Sequence, residues 1–330
     1  MSKEDIDKIE FYSNDVRILR ELGHEVVIAQ TLAELLLVGV VEVFYVWWWN
    51  RALAAILLAR FHGVHVVICG VFDYFIPCPN RYDYVSRPGW QRFLMRRALR
   101  EANTNIFVCQ YEHDLICRFF SVNNPKMIYL AVDEGRYPVK TSAPESKRLL
   151  NISWSGEGNA QRKGLFELIE ALPQIRSRHP EATLVMAGRP GAALQALRER
   201  AGFLRLGGAV QFIGELSMED KVEQLQRASL YVQPSIYEGF GSAVAEAMAC
   251  GTPVACTLAG SLPEVMGSHG VAILGSTPQA ISEAVIAFLD LCDADQHTIG
   301  ANCATWVRRQ FSYESRKEKL ASVLRELGRV

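Results

Sequence analysis

An excess of charge of either sign is missing from this chain: 35 Lys and Arg stand against 36 Asp and Glu, a formal net charge of -1. Without a global field it is not marked as a nucleic-acid binder or an acidic tail protein, so any recognition by charge must be local. Its eight cysteines include no CxxC pair and lie mostly in apolar runs such as VICG and PVACT, as expected of buried thiols. The seven histidines show no ligand spacing, so neither a structural nor a catalytic metal is expected. The start MSKEDIDKIE lacks the basic region and apolar stretch of a signal peptide. With unpaired thiols, this points to a reducing cytoplasm. The most apolar early run, 35–49, is interrupted by Glu42 and too short to span a bilayer comfortably, so it reads as a soluble core strand. Neither a solenoid-period repeat nor a low-complexity tract is found.

What is present is a core. Of the 330 residues, 49% are apolar, enough for two domains of ordinary size. β-rich runs alternate with helix-period segments. In the first half, strands are expected at 24–29, 42–47, 64–69, 105–108 and 127–130, with helices at 51–61 and 90–102. A polar stretch with two prolines, 133–148, reads as the linker. In the second half LLNISW, ATLVMAG, VQFIG, LYVQPS, PVACT and GVAIL read as strands, with helices beginning near Leu165, Met218, Ser242 and Pro278. This βαβ pattern implies an α/β protein with two Rossmann-like domains facing each other across a cleft. The expected division is an acceptor-side domain at 1–135, a nucleotide-sugar-binding domain at 149–311, and a C-terminal helix at 312–330 packing back toward the first domain.

The sharpest chemistry lies in PSIYEGFGSAVAEAMACGTPV, residues 234–254. A strand leads into the loop Glu238-Gly239-Phe240-Gly241, and a helix is expected to start near Ser242, a good N-cap. The glycines let backbone approach a ligand, and the free amides of a helix start attract an anion. Glu246 sits in a helix that is apolar on every side, where a carboxylate needs a partner. A capping box would explain an acid three residues after Ser242, but Ala245 occupies that place. The functional alternative is an acceptor for a pair of sugar hydroxyls. Glu238 fits both an exposed turn acid and a ligand contact. Arg162-Lys163-Gly164 opens the segment LFELIEALPQI after the loop SGEGNAQ. Two cations at a positive helix end are unfavourable unless an anion such as a diphosphate joins them, although surface lysines are common.

QRKGLFELIEAL, ATLVMAGRPG, VQFIGELS, LYVQPSIYEGFGSAVAEAMACGTPVA and GSLPEVMGSHGVAI together resemble glycosyltransferase family 4, retaining enzymes of GT-B fold, over about the whole C-terminal half. The resemblance implies that Glu246 binds the ribose of a nucleotide-diphosphate sugar and that Glu238, Gly239, Phe240 and Gly241 hold the transferred sugar. Ser242 and Ala243 complete the donor-binding set, while Lys163 and Arg162 neutralise the leaving diphosphate. It further implies a metal-independent reaction without cofactor, in which the leaving phosphate takes the acceptor's proton. The acceptor class is left open between a glycan, a lipid-linked acceptor and a small molecule. Three departures stand out. Gly156 is followed by Glu157 where the family has an arginine, and Arg162 stands in from another backbone position. IEFYSND runs at once into VRILRELG, so the N-terminal domain lacks the usual first strand and glycine pair and is shortened. Asp73 in VVICGVFDYF takes the place of an acceptor-side histidine, where a strand-end turn aspartate is the preferred reading.

Asp293-Ala294-Asp295 has DxD form but reads as a solvated interhelix turn. Gly156-Glu157-Gly158 hints at a dinucleotide fingerprint, yet Gln161 holds the third glycine position. Arg92, Arg96 and Arg100 form a basic stripe beside Trp90, Phe93 and Leu94 that suits an anionic membrane surface, hence peripheral membrane contact, or a phosphorylated acceptor. A solvated basic face over a core stripe gives the same pattern. Trp47-Trp48-Trp49 fits an acceptor-side aromatic wall or core packing. The rival to an active transferase is a non-catalytic GT-B partner or regulatory subunit, made plausible by the shortened N-terminal domain. The oligomeric state is left unassigned.

Overall fold

Ten short parallel strands carry the architecture seen in the computed structural model, which describes residue 6 and residues 9–78 and 82–328. The chain divides into two units. One comprises Met1–Phe75, Tyr82–Asp133 and Phe311–Val330; the other comprises Ile76–Arg81 and Glu134–Gln310.

In the first unit β1 (Val43–Trp47), β2 (His65–Gly70), β3 (Thr104–Phe107) and β4 (Pro125–Met127) form a parallel sheet in the order β1-β2-β3-β4. The burial pattern of β2 and β3 is nearly continuous, as required of parallel strands covered by helices on both faces. Trp49 settles part of the tryptophan question. It is core, donating from Nε1 to Asn105 Oδ1 at 2.7 Å and stacking on Phe107 at 4.9 Å. Trp47 and Trp48 are half-buried and gather with Phe11 and Tyr12.

The last helix, Tyr313–Glu326, is locked into this unit by one buried ion pair. Arg316 donates from Nε and Nη2 to the two oxygens of Asp15 at 2.6 and 2.8 Å, and both side chains are about 1% exposed. Its third nitrogen donates to the carbonyls of Ile128 and Tyr129, and Tyr45 donates its hydroxyl to Asp15. Every charged atom of the pair is therefore answered.

The second unit is a six-stranded parallel sheet. It consists of β5 (Arg148–Ile152), β6 (Thr183–Ala187), β7 (Val210–Gly214), β8 (Leu230–Gln233), β9 (Val254–Thr257) and β10 (Val271–Ile273) in the order β10-β9-β8-β5-β6-β7. The chain runs outward from β5 to β7, then returns to the other side of β5 and runs outward again. The connections leaving β5 and β8 therefore diverge at a topological switch point, where open α/β sheets bind ligands at the carboxyl ends of the strands. Helices Leu165–Arg178 and Pro278–Leu289 cover one face, contributing Leu168, Leu172, Ile281 and Val285 to the core.

Several expectations are corrected here. Residues 24–29 form no strand: EVVIA has β propensity, but a strand exists through its ladder, and among the described residues β1 pairs only with β2. The run 35–49 is not one strand but the end of helix Leu32–Leu37, a break, and β1. SGEGNAQ is not all loop; Glu157–Arg162 is a short helix. Asp293 and Asp295 are not in a turn but in the first turn of helix Asp293–Gln310, where acids complement the positive end. The cysteines are unpaired, yet Cys117 is half-buried and Cys292 exposed. No helix among the described residues is long and apolar enough to cross a membrane.

Candidate active site

The two loops that leave β5 and β8 bring Arg162, Lys163 and Glu238 into contact. Lys163 Nζ lies 2.5 Å from Glu238 Oε1, and Arg162 Nη1 lies 3.1 Å from Oε2. Arg162 also donates to the Tyr237 carbonyl at 2.8 Å and to Asn159 Oδ1 at 2.7 Å, which fixes its guanidinium. Behind Glu238 runs a buried relay in which Tyr231 donates to Gln233, Gln233 to Ser235, and Ser235 Oγ to Glu238 Oε1 at 2.8 Å. Thr257 donates to the Ser235 carbonyl, tying the end of β9 to the same loop.

Two glycines permit this approach. Gly164 has φ +66, and a Cβ there would lie 2.4 Å from the Pro234 carbonyl oxygen. Gly260 has φ +60, and a Cβ there would lie 2.2 Å from the Glu238 carbonyl oxygen. The turn after β5 and the turn after β9 can therefore close on the Glu238 loop only without side chains.

Arg162 ends the helix Glu157–Arg162 and Lys163 is its C-cap, the end of a helix that favours cations, while Gly164 caps the start of Leu165–Arg178. The two charges thus need no external anion to be explained, because Glu238 answers both. They still exceed it by one.

Burial alone would raise the Glu238 carboxyl, but the Lys163 ammonium and then the Arg162 guanidinium outweigh it and bring it down to about 2. Burial draws the Lys163 ammonium below its ordinary pKa even with Glu238 beside it. The depressed Glu238 value fixes the sign of a pH effect. Its stabilisation is whole above its ordinary 4.5 and is lost as pH falls from there through about 2. The stake is on the order of 3 kcal/mol. Urea unfolding of the wild type between about pH 5 and pH 3 is expected to show this loss, with a flatter profile for Glu238→Gln. Identical slopes in the two proteins would contradict the assignment.

Glu246 lies in the buried helix Ser242–Ala249, within electrostatic reach of Lys163. Its partner was not foreseen. Lys221, from helix Met218–Arg227, donates to Oε2 at 3.0 Å and lies 5.0 Å from the Tyr137 ring centroid. Oε1 carries no hydrogen bond among the described residues. The helix is capped by Gly241 in a left-handed conformation, not by Ser242, and no side chain caps it. Val244 and Ala245 donate to the Gly241 carbonyl, leaving the half-buried Ser242 and Ala243 at the helix start. Gly239 is half-buried and Phe240 buried in the preceding loop. Asp73 belongs to the first unit, three residues beyond β2, with φ 52. Its amide donates to Glu112 Oε1 and its carbonyl accepts from Tyr84, which makes it part of an ordered turn.

A hollow of about 290 Å³ also went unread in the sequence. It lies at the carboxyl ends of β5, β6 and β7, lined by Ser153, Ser155, Met186, Gly188, Phe212 and Arg198. Leu165, two residues from Lys163, forms part of its wall. Among the described residues no three His, Cys, Asp or Glu side chains are grouped to hold a metal ion.

Two Rossmann-like parallel sheets, the second with a cation-rich turn at its switch point, define an α/β protein of the GT-B fold class. Sucrose-phosphate synthase from Thermosynechococcus elongatus superposes with a TM-score of 0.75 at 19% identity, covering 99% of this chain and 80% of that one. Anabaena HepE, solved in complex with UDP and glucose, gives a TM-score of 0.72 at 19% identity, covering 86% of this chain and 78% of that one. At these identities the likeness concerns the fold alone.

Within that class, residues 157–303 match the family described as glycosyl transferases group 1. The chain is 28% identical over 250 residues to a GDP-mannose-dependent monoacylated alpha-(1-6)-phosphatidylinositol monomannoside mannosyltransferase of Corynebacterium glutamicum, covering 69% of this chain and 65% of that protein. It is 26% identical over 250 residues to O-antigen chain mannosyltransferase B of Escherichia coli, covering 72% of this chain and 64% of the relative. The matches thus span somewhat under two thirds of these relatives' own length.

Proposed function

We propose that the chain is a retaining glycosyltransferase that moves a sugar from a nucleoside-diphosphate sugar to an acceptor hydroxyl, without a metal ion or other cofactor. The observation that carries this reading is the contact of Lys163 and Arg162 with Glu238 at the switch point of the second sheet, two cations against one carboxylate. A buried ammonium already held below its usual pKa gains from further negative charge. A diphosphate leaving group supplies it, and the two cations do the work for which other transferases use a divalent ion.

Glu246 Oε1 is suited to accept from a ribose hydroxyl, the hollow at β5, β6 and β7 to take the base, and the start of helix Ser242–Ala249 to meet donor oxygens. Glu238, held ionised down to about pH 2, is a poor general base and a good hydrogen-bond acceptor for the transferred sugar. The bond between the anomeric carbon and the phosphate oxygen breaks, the acceptor oxygen bonds to that carbon on the same face, and the acceptor's proton passes to the leaving phosphate. Glycan, lipid-linked and small-molecule acceptors are all compatible with this chemistry, and the relatives named for O-antigen and lipid-linked mannosyl transfer support the first two.

Thermal unfolding with a panel of UDP-, GDP- and ADP-sugars tests the donor class. A bound nucleotide should raise Tm, since it binds the folded state alone. Glu246→Ala is expected to weaken that binding by about 1.5 to 3 kcal/mol, as for a charged hydrogen-bonding group, measured by titration calorimetry with the nucleotide the panel selects. A panel with no stabilising nucleotide would sink the reading.

A further inference from the structure

The helix Gly89–Glu101 of the first unit turns the wrong residues outward for a helix whose only task is to cover a sheet. At 100° per residue, Met95, Ala98 and Leu99 share the buried face. Phe93 stands on the opposite side, 49% exposed, with Trp90 one turn before it at 64% exposed. Arg96 and Arg100 follow one and two turns after Phe93 on the same outward side, both exposed. Neither makes an ion pair among the described residues. The acid at the end of this helix, Glu101, is already held by Arg97 at 2.6 Å and Arg60 at 3.4 Å. The outward face is thus two aromatic rings flanked by two uncompensated guanidiniums.

The surroundings extend it. Tyr82 and Val85, in the segment just before the helix, are exposed. Arg92 and Arg96 lie within electrostatic reach of Tyr84, which stacks on Tyr74, and Tyr74 stacks on the exposed Phe119. Core packing explains none of the outward rings. A solvated basic face would explain the arginines and leave Trp90, Phe93 and Phe119 without a reason.

We infer that this face docks on a bilayer containing anionic phospholipid, with Trp90 and Phe93 entering the headgroup and acyl boundary and Arg96 and Arg100 meeting lipid phosphates. Two kinds of group decide for lipid over a soluble polyanion. Guanidiniums alone would serve either, but outward-facing aromatic rings gain from an apolar layer, and tryptophan favours the membrane interface. The cationic residues supply the charge complementarity and make the contact sensitive to salt.

Flotation of the full chain with vesicles of phosphatidylcholine, with and without phosphatidylglycerol, tests it. The chain is expected to float with the anionic vesicles and not with the neutral ones. Trp90→Ser/Phe93→Ser and Arg96→Glu/Arg100→Glu should each reduce the bound fraction roughly tenfold or more while nucleotide binding is unchanged. Because these side chains are exposed, their loss leaves the core intact, which circular dichroism checks. Lys163→Ala should float like the wild type, separating this proposal from the reading of the donor site. No flotation with either vesicle overturns the inference, as does flotation unaffected by both double variants. Binding to heparin that is lost only in the arginine pair, without vesicle binding, would likewise overturn it and mark a surface for soluble polyanions.

Discussion

Lys163→Ala is expected to lower turnover by roughly 100-fold or more, the scale seen when a preorganised charge facing a developing negative charge is removed. The structure adds a second effect. Lys163 is one of two cations that hold Glu238 ionised inside the protein, so its loss leaves that carboxylate with Arg162 and the Ser235 hydroxyl. The variant should therefore unfold more easily as well as react more slowly, and the two effects are separable. Lys163→Arg retains a cation and is expected to recover stability ahead of rate, because a forked guanidinium does not reproduce the position of a compact ammonium. Single-turnover rates with saturating donor, measured well below each variant's Tm, make the comparison. A Lys163→Ala enzyme that turns over within a factor of about three of the wild type while remaining folded would remove Lys163 from the chemistry.

The second large effect is on stability and lies in the other unit. Arg316→Met should cost on the order of 3 to 5 kcal/mol, because it leaves the Asp15 carboxyl group buried with only the Tyr45 hydroxyl among its present side-chain partners. It also strips donors from the carbonyls of Ile128 and Tyr129. Replacing both members, Asp15→Leu with Arg316→Met, should recover much of the loss, since two apolar side chains need no counter-charge. Equilibrium unfolding of the two single variants and the double variant gives the coupling directly. Additive losses would show that the pair does not act as one.

The sequence revealed the sheets because parallel strands buried on both faces are continuous apolar runs, as in VVICG and LYVQ, and each lies at or within a few residues of its expected place. Glu246 was legible for a local reason: a carboxylate amid AVAEAMAC conflicts with its surroundings. What answers it was not. Lys221 comes from another helix 25 residues earlier, and nothing in MEDKVEQLQR separates that lysine from an ordinary surface cation. The same holds for Asp15 and Arg316, which are 301 residues apart, so no local window contains both. The helix Glu157–Arg162 left no signal in the sequence because it is six residues long and no side chain caps its start. The hollow at β5, β6 and β7 is formed by the ends of three strands and has no contiguous signature. The stripe on Gly89–Glu101 was visible, but only burial could tell which of its apolar residues faced the core.

Because Arg316 comes after all of the second unit in the polypeptide, the first unit cannot finish its core as it leaves the ribosome. Asp15 is made early and must wait, hydrated, through the synthesis of some three hundred residues before its counter-ion emerges. The second unit, whose segments 76–81 and 134–310 both precede Phe311, is complete sooner and is expected to protect its amides from exchange before the first does in a nascent chain. Order of synthesis and order of consolidation are thus reversed for the two halves of the molecule.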